Sequence, residues 1–180
     1  MVVPNPVYWQ RVRALAEGQW REPATVVYLG EVKPEFDVPG RRKDGTVLGT
    51  HQVRRFFWNA VRGTVGGVAS VVLSLGSGTA ASVFGRGGRV IGGENAQALG
   101  LVDAAKPADG AWLVYSPSHV GVIDTGPTFY DPKDRPPPKF LWQAAYPDAP
   151  KVFARKHHLI WPDGSELHYT VSATEPDVPA

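Results

Sequence analysis

The chain has 180 residues, 43% of them hydrophobic, so it is long enough to bury the core of one domain. It contains no cysteine, which excludes disulfides, thiol nucleophiles and cysteine-ligated zinc or iron–sulfur sites. The formal net charge is only +2, so binding to nucleic acid or to an anionic membrane would need a local basic patch.

The chain begins with signals for a short helix followed by a strand. Asn5 is a good helix cap and Pro6 suits the first helical turn, while Gly18 is expected to interrupt the helix. Residues 25–29 are mostly β-branched or aromatic, which predicts a buried strand. The following residues, 31–45, show no apolar period and are predicted to form an exposed loop.

The clearest helical pattern begins at His51 and ends near Leu75. Apolar residues recur there at spacings of three and four, beside a flank of glycine and serine that another backbone could approach closely. Residues 63–85 carry no charge, but they contain too much glycine, serine and threonine for a membrane span. We therefore expect no membrane span, although the sequence does not determine whether this segment contacts a membrane. A shorter helix is predicted over residues 95–105.

Strand patterns dominate residues 111–172. Five strands are expected there, at residues 111–115, 119–124, 140–145, 152–161 and 166–172. The predicted fold class is therefore α+β, with an antiparallel meander sheet packed against the long glycine-rich amphipathic helix. We expect a single domain over residues 1–180, with a helix-rich part at 1–110 and a disordered tail at 173–180.

The final hairpin can be predicted residue by residue. Pro162-Asp163-Gly164 has the composition of a three-residue turn with glycine in the left-handed conformation, and this turn sorts alternate residues into two faces. The predicted apolar face holds Phe153, His157, Leu159, Trp161, Leu167, Tyr169 and Val171. The predicted polar face holds Lys156, His158, Ile160, Glu166, His168 and Thr170.

The polar face carries a candidate metal site. In the predicted register His158 lies opposite His168, and Glu166 is one alternate position away. Two imidazoles and one carboxylate are a common ligand set for divalent transition metals. A solvated sheet face would show the same alternation, and no helical metal motif accompanies these residues. We expect His157, on the other face, to be a hydrogen-bonded and partly buried histidine.

A candidate anion site consists of Arg86, Gly87, Gly88 and Arg89. The backbone amides of a glycine loop and two guanidinium groups could bind an anion or contact RNA. The phosphate-loop motif is absent, however, and a tight turn is the commoner use of such glycines.

Serine catalysis is not predicted, because the sequence has no GxSxG nucleophile elbow. Ser118 and His119 are neighbours in the chain. The side chains of successive extended residues are expected to point apart. Asp124 alone does not complete a catalytic triad.

Two segments resemble pleckstrin-homology and GRAM-type domains. Residues 112–122 (WLVYSPSHVGV) are similar to a hairpin of these domains, and residues 161–165 (WPDGS) are similar to their late Asp-Gly-Ser turn. The resemblance covers about residues 111–172. It implies a strongly bent antiparallel sheet and a noncatalytic module that binds lipids, peptides or proteins. The chain departs from the family plan, because no closing helix is predicted after Ser172 and the long helix precedes the sheet.

These observations favour a noncatalytic binding or assembly module whose partner is a protein or a small ligand. No cofactor is predicted, and the sequence does not determine an oligomeric state. One alternative is a metal-dependent enzyme that uses His158, His168 and Glu166, and another is RNA or anion binding through residues 86–89. The first residues lack the features of a secretory signal, and the glycine and proline content is typical of high-GC bacteria, so we expect a cytoplasmic bacterial protein.

Overall fold

The computed structural model describes residues 4–30, 34–48, 88–128 and 131–174. Within these residues, two helices accompany two five-stranded sheets, which confirms the α+β class. The helices are α1 (Pro6–Trp20) and α2 (Ala98–Ala105). The strands are β1 (Thr25–Tyr28), β2 (Glu35–Asp37), β3 (Arg89–Ile91), β4 (Ala111–Tyr115), β5 (His119–Asp124), β6 (Lys139–Ala145), β7 (Lys151–Phe153), β8 (His158–Ile160), β9 (Glu166–His168) and β10 (Ala173–Thr174).

The strands form two separate sheets. The first has the order β10-β1-β4-β5-β6 and is antiparallel throughout. The second has the order β2-β3-β9-β8-β7 and is mixed, because β2 and β3 run parallel. The prediction of one meander over residues 111–172 is therefore wrong, since its strands divide between two sheets and each sheet also includes strands from the N-terminal half. The alternation of apolar and polar residues within a strand does not specify which distant strand will pair with that strand.

The long helix predicted over residues 51–75 lies outside the described residues, as does the uncharged segment 63–85. Neither helix of the described part of the chain is long and apolar enough to cross a membrane.

Helix α1 covers the first sheet. The Asn5 side chain caps it by accepting from the Val7 amide at 3.0 Å, as its sequence predicts. The helix continues through Gly18, because glycine weakens an exposed helical position without ending a helix whose buried stripe continues on both sides. That stripe consists of Tyr8, Trp9, Val12, Ala16 and Trp20.

Helix α2 packs in the larger core between the two sheets. Leu99 and Leu101 of the helix are fully buried there. The same cluster contains Leu113 of the first sheet and Leu159 and Leu167 of the second. This core therefore fixes the second sheet, which carries the candidate metal ligands.

Two strands were not predicted, one in the N-terminal part of the chain and one in the C-terminal part. Residues 31–45 include β2, where Phe36 is buried and pairs with Val90. A three-residue strand has only one inward side chain, which is too few to show alternation. At the other end, Ala173 and Thr174 pair with β1, although they begin the predicted tail.

The single strand predicted over residues 152–161 is instead a hairpin of β7 and β8, joined by a 3-10 turn at Ala154–Lys156. His157 ends this turn in the left-handed conformation, with φ 49°. The turn reverses the chain, so the residues on its two sides do not continue one alternation. Phe153 and His157, predicted on the buried face, are accordingly exposed.

An ion-pair cluster joins α2 to the loop after β2. Arg41 Nη1 donates to Asp103 Oδ1 at 2.7 Å, and the Lys106 ammonium lies 3.0 Å from the same oxygen. Burial raises the pKa of Asp103, but the hydrogen bond from Arg41 and the charge of Lys106 outweigh it, so the net shift of this pKa is downward.

We expect Asp103→Asn to lower the free energy of unfolding by about 2–3 kcal/mol at neutral pH, because it leaves a largely buried Arg41 without its counter-ion. Since the folded pKa of Asp103 is depressed, its stabilisation is present above pH about 4 and is lost as the pH falls through the folded value. Urea unfolding from neutral to acidic pH measures both effects, with exposed Asp109→Asn as control. A deficit of Asp103→Asn that stays constant down to the lowest pH would contradict this explanation.

Candidate functional site

The final hairpin, β8 and β9, has the predicted register. His158 lies opposite His168, and Ile160 lies opposite Glu166. These four residues are partly buried, whereas Leu159 on the other face is fully buried. The predicted sorting into an apolar and a polar face is therefore confirmed for these two strands.

The turn between the two strands fixes this register. The Trp161 amide donates to the Ser165 carbonyl at 2.9 Å, and Gly164 has a φ of 80°, a conformation that favours glycine. The Asp163 carboxylate accepts from the amide and hydroxyl of Ser165, at 2.9 and 2.6 Å. It also accepts from the Gln97 amide, at the start of α2, at 2.7 Å. The hairpin is thereby anchored on the helix and cannot slip without breaking these bonds.

The fold brings His158, Glu166 and His168 together. The Nε2 atoms of His158 and His168 lie 3.0 and 3.2 Å from the same carboxylate oxygen, Glu166 Oε2. The two imidazole rings are stacked, with centroids 4.0 Å apart and planes inclined by 16°. One ligand atom from each of the three residues lies within 4.8 Å of the other two. The predicted trio is therefore a convergent cluster of metal-ligating atoms.

This cluster is open on one side. The side chains of His168, Glu166 and His158 are 42%, 33% and 13% exposed. Phe153 lies opposite His158 in β7, and its ring centroid is 6.0 Å from that imidazole. A ligand would therefore reach the cluster from the side of His168, because Phe153 covers the side of His158.

The chemistry of the donor set suits a first-row transition metal. Neutral imidazole and carboxylate bind Zn²⁺, Co²⁺, Ni²⁺ or Fe²⁺, whereas Mg²⁺ and Ca²⁺ prefer sites made of oxygen ligands. In the metal-free cluster both Nε2 atoms lie within hydrogen-bond distance of the carboxylate. A metal bound to the Nε2 atoms would replace these hydrogen bonds, and each imidazole would then carry its hydrogen on Nδ1.

The predicted anion-binding segment takes a different form. Arg86 and Gly87 lie outside the described residues. The Gly88 carbonyl accepts from the amide at the start of β2 at 2.8 Å, so this glycine serves the sheet. Arg89 is the first residue of β3, and its Nη2 lies 2.5 Å from Asp37 Oδ2. Of the predicted anion-binding residues that the structure describes, only Arg89 presents a charged side chain.

Pairing between β3 and β9 places Arg89 directly opposite His168. Ile91 lies opposite Glu166 in the same ladder. Directly opposite residues lie on the same face of a sheet, so Arg89 of the predicted anion site lies next to His168 of the predicted metal site. No local pattern in the sequence joins these positions.

A second polar cluster was missed by sequence reasoning. Ser118 donates to the Glu22 carboxylate, and its Oγ lies 2.9 Å from His119 Nδ1. Trp20 stacks on His119 with a centroid distance of 5.2 Å. The prediction that Ser118 and His119 point apart is wrong, because Ser118 occupies the turn before β5, where strand alternation does not apply. Glu22 is 96 positions away from Ser118, so no spacing could have indicated it.

This second cluster borders an open cavity of about 640 Å³, lined by the turn between β4 and β5 and by residues from Tyr146 to Phe153. The hydrogen bond from Ser118 lowers the pKa of Glu22. Because the Ser118 hydroxyl donates to a carboxylate, it is not activated by an imidazole as a serine nucleophile requires. The cluster therefore orients the turn and gives no support to serine catalysis.

The resemblance to pleckstrin-homology and GRAM-type domains stays a prediction. Comparison with protein-family models, with curated proteins and with solved structures finds no match to this chain.

Proposed function

We propose that this protein is a noncatalytic binding module that binds one divalent transition-metal ion through His158, Glu166 and His168. The observation that carries the proposal is the convergence of two Nε2 atoms on one carboxylate oxygen, at 3.0 and 3.2 Å. The metal is then the small ligand of the module.

The support around the cluster favours a binding site over an ordinary solvated face. β9 lies in the centre of its sheet, between β3 and β8, so the backbone of Glu166 and His168 is held on both sides. The turn that sets the register of His158 is tied to α2 through Asp163. Ligands held in place before binding lose little conformational freedom when the ion arrives.

A metal-dependent enzyme is the second candidate. Three protein ligands leave at least one coordination position open, and catalytic metal sites keep such a position. The exposure of His168 leaves that side of the cluster accessible. Turnover of an ester or phosphoester by the metal-loaded protein, lost in His158→Ala, would favour the enzyme over the noncatalytic module.

Calorimetric titration of metal-free protein with Co²⁺ tests the proposal. We expect one ion to bind per chain, with a Kd of about 1 μM or lower. Mg²⁺ serves as the control ion and is expected to bind at least about 100-fold more weakly, since the site contains two nitrogen ligands. Absence of a saturable Co²⁺ heat, or equal affinity for both ions, would overturn the proposal.

A further inference from the structure

The metal cluster shares its face of the second sheet with Arg89. β3 pairs with β9 and β9 pairs with β8, so Arg89, His168 and His158 form one row across three strands. Directly opposite residues have Cβ atoms about 4.5–5.5 Å apart. Arg89 is therefore the cationic neighbour of the cluster on the side of His168, where the cluster is open.

The guanidinium of Arg89 is partly engaged. Its side chain is 54% exposed, and Nη2 contacts Asp37 Oδ2 at 2.5 Å. A guanidinium has five N–H donors in a planar fork, so a single carboxylate oxygen does not use them all. Asp37 belongs to β2, which lies on the opposite side of β3 from His168, so the Arg89 side chain must turn from Asp37 to reach a ligand at the cluster.

The charges on this face favour an anion once the metal is bound. A divalent ion with one carboxylate and two neutral imidazoles leaves a net charge of about +1 at the metal site. Glu35 lies opposite Arg89 and Lys151 lies opposite Ile160, so the same face also carries two positive and two negative side chains, which cancel: Arg89, Lys151, Glu35 and Asp37. Ile91 and Ile160 lie on either side of Glu166 in the neighbouring row and are partly buried. These aliphatic side chains exclude water from both sides of Glu166 and so strengthen the electrostatic attraction between the metal site and an anion.

We propose that the metal-loaded site binds a small oxyanion, a phosphate or carboxylate group, with one oxygen on the metal and another on the Arg89 guanidinium. This inference rests on the proposed metal site. It identifies Arg89 as a binding residue and assigns the open coordination position to an anionic ligand.

Titration of the Co²⁺-loaded protein with methylphosphonate and, separately, with acetate tests this inference through the visible absorption of cobalt. We expect a saturable spectral change with at least one of these anions, and the tighter of the two identifies the group. Arg89→Ala should weaken its binding about 10-fold or more, the usual effect of losing a charge-assisted hydrogen bond. Cobalt affinity should stay unchanged. Asp37→Asn should strengthen anion binding, because it releases Arg89, and exposed Arg155→Ala is the matched control.

The possible failures are distinguishable. If cobalt does not bind, the proposed function is wrong and the inference fails with it. If cobalt binds but neither anion changes its spectrum, or if Arg89→Ala and Arg155→Ala bind the anion equally well, the metal site stands and the oxyanion inference is overturned.

Discussion

Replacing His158 or His168 by alanine is expected to weaken Co²⁺ binding by at least about 100-fold. This loss is larger than the loss expected for removing a residue that only hydrogen-bonds to a metal ligand. Each variant removes one of three ligands whose atoms lie within 4.8 Å of one another. Isothermal titration of the variants against the unmodified chain measures the effect, and circular dichroism confirms that the sheets remain folded.

His157→Ala is the matched control for this prediction. His157 is adjacent to His158 in sequence, but it ends the 3-10 turn in the left-handed conformation and its ring packs 5.6 Å from Tyr169. It lies outside the ligand cluster, so its replacement should leave cobalt affinity unchanged. If His157→Ala and His158→Ala lose affinity equally, the metal is bound nonspecifically by surface histidines.

Replacing Trp112 by alanine is expected to lower the free energy of unfolding by about 3–5 kcal/mol, the usual cost of removing a large buried aromatic side chain. Trp112 is fully buried in the core between α1 and the first sheet. Its ring meets Trp9 at 4.7 Å and Tyr28 at 4.6 Å, and its Nε1 donates to Thr125 Oγ1 at 2.8 Å. The substitution therefore leaves a cavity and also removes a hydrogen-bond donor.

Urea unfolding measures this loss, with Tyr146→Ala as the control. Tyr146 is 80% exposed, so its replacement should change stability by no more than about 0.5 kcal/mol. If Trp112→Ala does not fold, Trp112→Phe takes its place, because this variant keeps a ring in the core. Its loss of unfolding free energy should lie between the values expected for Tyr146→Ala and Trp112→Ala. A loss below about 1 kcal/mol in Trp112→Ala would show that this core is not packed as described.

The local part of the candidate site could be predicted from the sequence. The turn residues Pro162, Asp163 and Gly164 permit one register, and that register alone places His158 opposite His168. Both ligands lie within ten residues of each other, so the chemistry of a single turn decides their pairing. Distances between their side chains, however, depend on rotamers that alternation does not specify.

Contacts between distant segments could not be predicted in this way. The pairing of Arg89 with His168 requires β3 to join β9, and the contact of Ser118 with Glu22 requires α1 to end beside the turn before β5. These choices are made by packing of whole elements around α2 and α1. The displacement of Phe153 to the polar face has a local cause, the reversal at His157, but a left-handed histidine has no strong signal in sequence.

Anomalous diffraction from crystals of the Zn²⁺-loaded protein is the most direct test of the metal site. The account predicts one anomalous peak at about 2.0–2.2 Å from the Nε2 atoms of His158 and His168 and from a carboxylate oxygen of Glu166. A peak at other residues, with these three side chains still hydrogen-bonded to one another as in the metal-free chain, would contradict the proposed metal site.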